Sequence, residues 1–429
     1  MHWLRVSYRL GGGSGPEPPA ASRCGHSERP VGIRQIIQQY AHRLRSRALG
    51  GATFFRGATQ SARIHVRSAL KGLRRVFRQL FGRGLARLIG PRMNFAELPA
   101  GDISSVLVCR INGRLGNTVL LTPLVRRIHE LLPHASIDLA LAYPQASELL
   151  ERLPGVRRVI TFPHGGRRLV RRYFGALRRL RAEQYDLVID PVPESTSGRV
   201  ALTLSRARYR VGFATDSQWA PLTHAVPEPD EPMHQAIQPV FLLCRAFGAP
   251  FDPRDLRLSL CLPTAELAAG QTAVAQAVGH VMGDQSLAAQ TFGFFAHATA
   301  AKTIERGWWL AFWEAFLELQ PDAVPVEFLP TPHSTPTDAR FPSLHCPSTR
   351  ALTAAISATR MFISADTGPM HLASATPVPT VALFRASDAT LFRPLKPADL
   401  AIDVRQFTPR LIAERCQRVW RESIQAPNH

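Results

Sequence analysis

Residues 104–143 read SSVLVCRINGRLGNTVLLTPLVRRIHELLPHASIDLALAY, which is an apolar run, a glycine-containing loop, a helical pattern and a second apolar run. The runs at 104–111 and 136–143 predict strands, and residues 117–132 predict the helix between them. Parallel strands need such a crossover, whereas antiparallel strands can be joined by a short turn. The stretch therefore predicts an α/β fold in which helices cover both faces of a parallel sheet.

The same alternation continues to the end of the chain in two sets. The further strands are predicted near 156–162, 185–190, 209–214, 291–298, 325–329, 361–365 and 379–384. Residues 216–232 are rich in proline and predict a loop, and residues 256–263 predict a strand-like end of the first set. Two consecutive sets predict two Rossmann-like domains, at 99–260 and 261–429, with ligands in the cleft outside the carboxyl ends of the strands.

The first 98 residues are predicted to be a basic extension of this body. Residues 1–95 carry 18 lysines and arginines against two acids, whereas residues 96–429 carry 34 cations and 30 acids, so most of the formal charge of +20 belongs to the extension. Residues 11–30 are rich in glycine, proline and serine and are expected to be disordered. Residues 61–89 alternate apolar residues and arginines at helical spacing, which predicts an amphipathic helix.

Three interpretations of this helix remain open. A basic amphipathic helix binds an anionic membrane leaflet, where each cation contributes about 1 kcal/mol. The pattern also suits a helix that docks on the body and keeps its charged face in water. Because Met93 stands just before the first strand, residues 1–92 also fit translated upstream sequence. A nucleic-acid partner is disfavoured, since the segment has no basic module interleaved with aromatic residues.

The composition, the spacing of the cysteines and the lengths of the apolar runs limit the class of protein. A hydrophobic fraction of 45% excludes wholesale disorder, and six scattered cysteines without CxxC spacing predict unpaired thiols in a reducing compartment and no metal site. The chain has no run of 18 apolar residues, and its first residues offer no apolar signal segment. These features predict a cytoplasmic protein that does not span a membrane.

The first of three candidate loops leaves the first strand. Gly113 and Gly116 allow close approach of a ligand to the backbone around Arg114, and the helix start supplies N–H groups for an anion or a sugar hydroxyl. The loop fits neither GxGxxG nor a Walker motif. An ordinary turn with Asn117 as the helix N-cap is the alternative interpretation.

The other two loops follow strands of the second domain. Residues 295–303 include Thr299 and Lys302, one of three lysines in the chain, and its compact charge suits a phosphate oxygen unless it is merely a solvated loop lysine. Residues 363–373 read ISADTGPMHLA, in which Asp366, Thr367 and Gly368 form a turn and His371 lies one helical turn later. This arrangement suits a diphosphate or a sugar. The alternative is an N-cap aspartate with a core histidine.

At these loops the sequence resembles glycosyltransferase family 9, the ADP-heptose:lipopolysaccharide heptosyltransferases. The resemblance covers roughly residues 104–405, and it is carried by residues 105–140, by the Lys302 loop before GWW, and most specifically by SADTGPMHLASATPVPTVALF at 364–384. It implies the GT-B fold, two Rossmann-like domains facing across a cleft, with the acceptor at the N-terminal domain and the donor nucleotide at the C-terminal domain.

The resemblance also implies an activity and roles for residues. The activity is inverting transfer of heptose from ADP-heptose to the lipid A and Kdo inner core of lipopolysaccharide, without metal or cofactor, at the cytoplasmic face of the bacterial inner membrane. Lys302 is similar to the lysine that meets the donor diphosphate. Asp366, Thr367 and Gly368 resemble the turn that holds diphosphate and sugar, and His371 resembles the histidine beside them.

One position departs from the family pattern. Where the family usually has Gly-Asp, with the aspartate as general base on the acceptor hydroxyl, this chain has Gly116-Asn117, and an amide cannot accept the proton. Asp190 and Glu194, just after the fourth strand, are candidates to reach the same cleft, and Glu194 is the proposed substitute. The alternatives are a weak or inactive GT-B protein and a related transferase that uses another nucleotide sugar.

Overall fold

The computed structural model describes residues 97–111, 113–163, 169–193, 195–215 and 222–425. The predicted disordered segment 11–30 and the predicted amphipathic helix 61–89 lie outside the described residues. Across the part that is described, no helix combines the length and apolarity that a membrane span requires.

Two six-stranded parallel sheets form the body, as the strand–helix alternation predicts. The first sheet has the order β3-β2-β1-β4-β5-β6, and the second has the order β12-β11-β10-β7-β8-β9. The strands are β1 (Ser105–Arg110), β2 (Ser136–Leu141), β3 (Val156–Thr161), β4 (Gln184–Asp190), β5 (Arg206–Ala214), β6 (His224–Pro227), β7 (Thr291–Phe295), β8 (Val324–Leu329), β9 (Ser343–His345), β10 (Met361–Ala365), β11 (Thr380–Phe384) and β12 (Leu400–Asp403).

Helices connect these strands on both sides of each sheet. They are α1 (Leu115–Val119), α2 (Thr122–Leu131), α3 (Ala146–Leu150), α4 (Leu169–Ala182), α5 (Thr196–Leu204), α6 (Gln238–Phe247), α7 (Thr264–Met282), α8 (Arg306–Leu319), α9 (Thr349–Ser357), α10 (Gly368–Ser374), α11 (Ala389–Phe392) and α12 (Pro409–Gln425). The two domains thus have the doubly wound architecture that the sequence predicts.

The strand orders decide where ligands can bind. In the first sheet the direction of winding reverses between β1 and β4, and in the second it reverses between β7 and β10. The connections after two such adjacent strands leave in opposite directions, which opens a crevice at their carboxyl ends. The predicted candidate loops follow β1, β7 and β10, so the candidates that the structure describes lie at the two reversal points.

Three sequence predictions about elements need correction. The predicted helix 117–132 is two helices, because the ring of Pro123 near the start of α2 would collide with the carbonyl of Val119 if one helix ran through both. Residues 256–263 are not a strand. They form an irregular link between the sheets, in which Cys261 has a φ of 50°. The guanidinium of Arg350 donates to the carbonyls of Leu260 and Cys261 at 3.2 and 3.3 Å.

The third correction concerns the edges of the sheets. The sequence predicts a loop at 216–232, but residues 224–227 form β6, which pairs in parallel with β5. The sequence also predicts neither of the short edge strands β9 and β12. Strands of three or four residues carry too little periodicity to be recognised, although each of these pairs with the strand that precedes it along the chain.

An aromatic core fixes the second sheet against its helices. Phe292 on β7 lies 5.1 Å from the ring of Trp313 in α8 and 5.7 Å from the ring of Trp420 in α12. All three side chains are buried. Because β7 is held in this way, the loop that follows it starts from a rigid support.

Candidate functional site

Lys302 and Asp366 come together across the reversal point of the second sheet. Lys302 lies in a 3₁₀ turn (Ala300–Lys302) after β7, and Asp366 directly follows β10. The Lys302 Nζ atom donates to the Asp366 Oδ2 atom at 2.5 Å and to the Asp366 carbonyl at 3.1 Å. The Asp366 side chain is only 4% exposed, whereas that of Lys302 is 36% exposed. The carboxylate therefore holds an ammonium group that still faces the cleft and can bind an anion.

The turn after Asp366 opens α10. Thr367 is the N-cap residue of α10, but its hydroxyl gives no capping hydrogen bond and instead donates to the Ala365 carbonyl at 3.1 Å. The same hydroxyl lies 3.1 Å from the Oγ atom of Ser364. The start of α10 at Gly368 is thus left without a side-chain cap, beside the Lys302 ammonium. Both features favour negative charge at this position.

His371 is buried behind this pair. Its Nε2 atom lies 3.9 Å from the Asp366 Oδ1 atom, which is too long for a hydrogen bond. Burial lowers the pKa of His371 to about 4, the Asp366 carboxylate opposes this shift, and His234, Lys302 and Arg110 lower the pKa further. His371 is therefore neutral at pH 7 and adds no charge to the site.

Two glycines bring the loops of the two domains together. A Cβ atom on Gly116 in α1 would overlap the Cδ2 atom of the His371 ring, and a Cβ atom on Gly368 would lie 2.7 Å from the Cδ2 atom of Leu115. The first turns of α1 and α10, one from each domain, therefore contact each other at the bottom of the cleft. The sequence predicts each loop separately, but only the structure shows this contact.

Replacing Gly116 by alanine is expected to destabilise the protein, because the new methyl group and the buried His371 ring cannot occupy the same space. Overpacking of this kind costs typically about 1–3 kcal/mol. The matched control is Gly175→Ala in α4, where a Cβ atom would meet nothing within 4 Å. Alanine in a helix interior is favoured over glycine by about 1 kcal/mol, so the control should gain stability.

Urea unfolding of both variants measures the difference directly. If Gly116→Ala were as stable as Gly175→Ala, the close contact between the two domains would be wrong.

The loop after β1 positions Asn117 differently from the sequence expectation. The N-cap of α1 is Arg114, whose carbonyl accepts hydrogen bonds from the backbone N–H and the hydroxyl of Thr118 at 3.2 Å. Asn117 is the third residue of α1 rather than its cap. Its side chain is partly exposed and makes no hydrogen bond within the described part of the chain. Gly113 precedes Arg114 and is partly exposed, while Arg114 is exposed.

A buried charged cluster lies at the reversal point of the first sheet. Asp190 at the end of β4 is fully buried, and its Oδ2 atom lies 3.1 Å from the Nε atom of Arg199. Arg199 also donates to the Phe213 carbonyl at 2.7 Å. Burial raises the pKa of Asp190 to about 7, against the opposing charges of Arg199 and Arg110. Burial likewise lowers the pKa of Arg110, at the end of β1, to about 10.

This cluster changes the expectation for Asp190. The sequence places Asp190 at a strand end that faces the cleft, but the structure buries its carboxylate beneath the start of α5, where a Cβ atom on Gly198 would lie 2.5 Å from its Oδ1 atom. Asp190 therefore supports Arg199 and α5 rather than contacting a substrate. Glu194, the proposed substitute base, lies outside the described residues. The sequence gives little sign that Asp190 is buried, because an aspartate at the end of an apolar strand can equally well face a cleft.

Thr299 and His297 lie in the loop that carries Lys302. Thr299 is exposed and begins the 3₁₀ turn, with its carbonyl accepting from the Lys302 backbone N–H at 3.3 Å. The Nε2 atom of His297 lies 3.3 Å from the Oε1 atom of the buried Glu327 on β8. Burial raises the pKa of Glu327, although the N–H and hydroxyl of Thr337 donate to it. His297 lies within the predicted loop 295–303, but no pattern in the sequence predicts its partner Glu327.

Acidification should reveal the neutral, buried state of His371. Since its folded pKa of about 4 lies below the unfolded value of about 6.5, the unfolded chain binds more protons between these values, and stability falls as the pH is lowered. Between pH 7 and pH 5, this histidine is expected to remove about 2 kcal/mol from the free energy of unfolding.

The measurement compares the wild type with His371→Gln by urea unfolding at both pH values. The variant should lose less stability on acidification, and an equal loss would contradict the buried neutral state. His234, whose pKa burial also lowers to about 4, remains in both proteins, so its own proton uptake on unfolding is largely common to the two.

Over the described ranges, no group of three or more histidine, cysteine, aspartate or glutamate side chains is arranged to hold a metal ion.

Comparison with known proteins bears on the same region. Residues 343–414 match the family model for glycosyltransferase family 9 (heptosyltransferase). The matched segment includes Asp366 and His371 but not Lys302. No curated protein matches the chain by sequence.

Solved structures of other proteins share the fold of the chain, among them the following three. A glycosyl transferase family 9 protein from Veillonella parvula matches with a TM-score of 0.61 at 15% identity, covering 74% of this chain and 97% of its own. The E. coli heptosyltransferase WaaC with ADP matches with a TM-score of 0.58 at 15% identity, covering 73% and 99%. The E. coli ADP-heptose lps heptosyltransferase II matches with a TM-score of 0.57 at 18% identity, covering 75% and 99%. The two facing sheets are therefore those of the GT-B fold.

Proposed function

We propose that this chain, a glycosyltransferase of family 9, transfers a heptose from ADP-heptose to the inner core of lipopolysaccharide with inversion at the anomeric carbon and without a metal ion. The observation that carries the proposal is the Lys302–Asp366 pair beside the uncapped start of α10, at the reversal point of the second sheet. The likeness to heptosyltransferase structures, one of them with ADP, supports the choice of donor.

In the proposed reaction, an acceptor hydroxyl attacks the anomeric carbon from the face opposite the diphosphate. The new carbon–oxygen bond forms as the bond to the β-phosphate breaks, the hydroxyl proton passes to a base, and ADP leaves with the bonding electrons. Negative charge grows on the β-phosphate oxygens. A fixed ammonium and backbone N–H groups aimed at that charge stabilise the transition state without reorganising.

The proposal gives each site residue a role that suits its position. Lys302 neutralises the leaving diphosphate, and Asp366 fixes the Lys302 ammonium through its carboxylate and its carbonyl. Thr367 and Gly368 offer the start of α10 to the phosphates, and Thr299 lies on the same loop as Lys302. His371 stays neutral and fills the space behind the pair. Gly113, Arg114 and Gly116 form the facing loop, beside which the acceptor binds.

The proposed reaction needs a proton acceptor other than Asn117. Asn117 occupies the position on α1 where the family resemblance expects an aspartate, and its amide cannot take a proton at neutral pH. Glu194, on the connection after β4, is the proposed base because β4 adjoins β1 at the reversal point of the first sheet. General base catalysis contributes about 10²- to 10⁴-fold, so a poorly placed substitute would give a slow enzyme.

The test uses the purified full-length chain with a Kdo-containing lipid A acceptor and a panel of nucleotide sugars, including ADP-heptose and its UDP and GDP counterparts. Mass spectrometry of the acceptor should show one added heptose with ADP-heptose only. Transfer of a different sugar would replace the donor assignment, and failure of every donor would overturn the proposed reaction.

Asn117 also favours a second candidate function, a GT-B protein that binds the nucleotide sugar but turns it over slowly or not at all. Calorimetric titration with ADP separates the candidates: the proposed enzyme binds ADP and forms product, whereas the second candidate binds ADP and forms none. Both would attach to the cytoplasmic face of the inner membrane, where the lipid-linked acceptor resides.

A further inference from the structure

The outward face of α4 in the first domain is strongly basic. Between Leu169 and Ala182 the helix contains no acid, and it carries five exposed arginines. They are Arg171, Arg172, Arg178, Arg179 and Arg181. Ala176, Leu177 and Leu180 face the sheet and are buried, so the helix is anchored by its apolar side and the arginines project away from the domain.

These arginines have no acidic partners within the described residues. The two acids nearest in sequence are engaged elsewhere. Glu183 pairs with Arg158 of β3 at 3.1 Å, and the Oδ2 atom of Asp186 accepts hydrogen bonds from the N–H and hydroxyl groups of Ser104 and Ser105 at 2.8–2.9 Å. None of the five α4 arginines makes an ion pair or side-chain hydrogen bond there. The positive charge on this face is therefore not neutralised within the described structure.

A large apolar side chain stands among these charges. Phe174 is 61% exposed, more than any other large apolar residue that the structure describes. Residues three and four apart lie on one side of a helix, so Arg171, Phe174, Arg178 and Arg181 form one stripe. Tyr173, next to Phe174, packs edge-on against Phe162 at 5.2 Å, which fixes the helix and leaves the phenyl ring of Phe174 outside.

Helix α12 shows that this pattern is not a general consequence of an arginine-rich composition. It also exposes several arginines and one large apolar side chain, that of Leu411 at 47%. Its arginines are interspersed with glutamates, however, and Arg410 pairs with Glu318 at 2.9 Å and with Glu414 at 3.7 Å. The outward face of α12 is thus a mixed solvated surface and provides a matched control.

We propose that the outward face of α4 docks on an anionic phospholipid bilayer, with Phe174 inserted between the lipid headgroups. Charge complementarity favours an anionic partner, because unpaired cations near such a surface each increase the affinity about fivefold. The exposed phenyl ring selects a bilayer among anionic partners, since its burial in the headgroup region removes apolar surface from water. Nucleic acid, the other common polyanion, is an outcome of the test.

The use of this surface rests on the proposed function, because that function requires a lipid-linked acceptor to enter the cleft from a membrane. Helix α4 follows the connection from the carboxyl end of β3, so it begins at the same edge of the first sheet as the acceptor loop after β1. A bilayer against α4 would lie beside the opening of the cleft. The docking itself requires neither a sugar nucleotide nor turnover.

A photocrosslinking experiment on the full-length chain tests the surface at one position. Benzoylphenylalanine replaces Phe174 in one variant and Leu411 in the control, and each protein is irradiated with phosphatidylethanolamine–phosphatidylglycerol vesicles. Mass spectrometry should find phospholipid attached at position 174, with a yield about tenfold or more above that at 411. Because the readout is local, binding of vesicles through the basic extension cannot produce it.

A second variant addresses the charges. Arg171→Ala, Arg178→Ala and Arg181→Ala, introduced together with the label at 174, should lower the lipid yield at least about tenfold, since three cations are lost and alanine preserves the helix. Unchanged ADP affinity in this variant would show that the cleft is intact.

Equal yields at 174 and 411, an unchanged yield in the triple variant, or crosslinking at 174 to an oligonucleotide in preference to lipid would each overturn the docking surface. A protein that crosslinks lipid at 174 but transfers no heptose would overturn the proposed function alone.

Discussion

Replacement of Lys302 by alanine is expected to lower the rate of sugar transfer by about 10²- to 10³-fold, the loss seen when one preorganised group facing a developing charge is removed. Lys302 provides the ammonium that the structure holds at 2.5 Å from Asp366 while it remains exposed to the cleft. Its loss also leaves the buried carboxylate of Asp366 without its cation, and that carboxylate would repel a diphosphate. Steady-state kinetics with ADP-heptose and calorimetric titration with ADP measure both effects.

A double-mutant cycle separates charge from structure. Asp366→Asn in the Lys302→Ala background removes the repulsion and should recover part of the ADP affinity, whereas a loss caused only by misfolding would not be recovered. Lys302→Arg keeps the charge and should retain more activity than alanine, although the guanidinium does not reproduce the compact ammonium. Full activity and full ADP affinity in Lys302→Ala would refute the assignment of this loop to the donor diphosphate.

Asn117→Asp is expected to raise the rate of transfer by about 10²-fold or more, because it introduces a group that can accept the proton of the acceptor hydroxyl. The residue is partly exposed in α1, directly after Gly116, whose backbone touches His371 at the bottom of the cleft. The gain should appear in kcat measured near pH 7, where an exposed aspartate is ionised, and should fade as the pH falls below its pKa.

Asn117→Ala is the matched control, since it removes the amide without supplying a base. If aspartate and alanine gave equal rates, Asn117 would not face the reacting hydroxyl. If the wild type were already fast and Glu194→Gln abolished its activity, the connection after β4 would supply the base. A wild type without turnover that gains it only through Asn117→Asp would support the second candidate function.

Fold class was accessible from the sequence because it depends on local patterns. Residues 104–143 alternate strand, loop, helix and strand, and each of those states follows from periodicity and loop composition within a few residues. The same reasoning fails at β6 and at the link 256–263. Both are short segments, and so few residues carry too little periodicity to show whether a segment pairs with a neighbouring strand.

Only the separate parts of the candidate site could be predicted from the sequence. The stretch 363–373 contains an aspartate, a turn and a histidine within one helical turn of each other, so their proximity follows from local geometry. The partnership of Lys302 with Asp366 spans 64 residues, and no spacing rule predicts it. The contact between Gly116 and His371 joins two domains, and it is visible only once both sheets are in place.

The sequence by itself determined the alternation of strands and helices, the loops at strand ends and the residue types that those loops offer, because these are properties of short segments. The tertiary structure decided which of those side chains pair, which are buried and which stay exposed. Asp366 pairs with Lys302, and burial keeps His371 neutral. Asp190 is buried in an ion pair with Arg199, whereas Phe174 is exposed among unpaired arginines. Burial and charge pairing depend on what surrounds a side chain in space, and distant parts of the chain supply those surroundings.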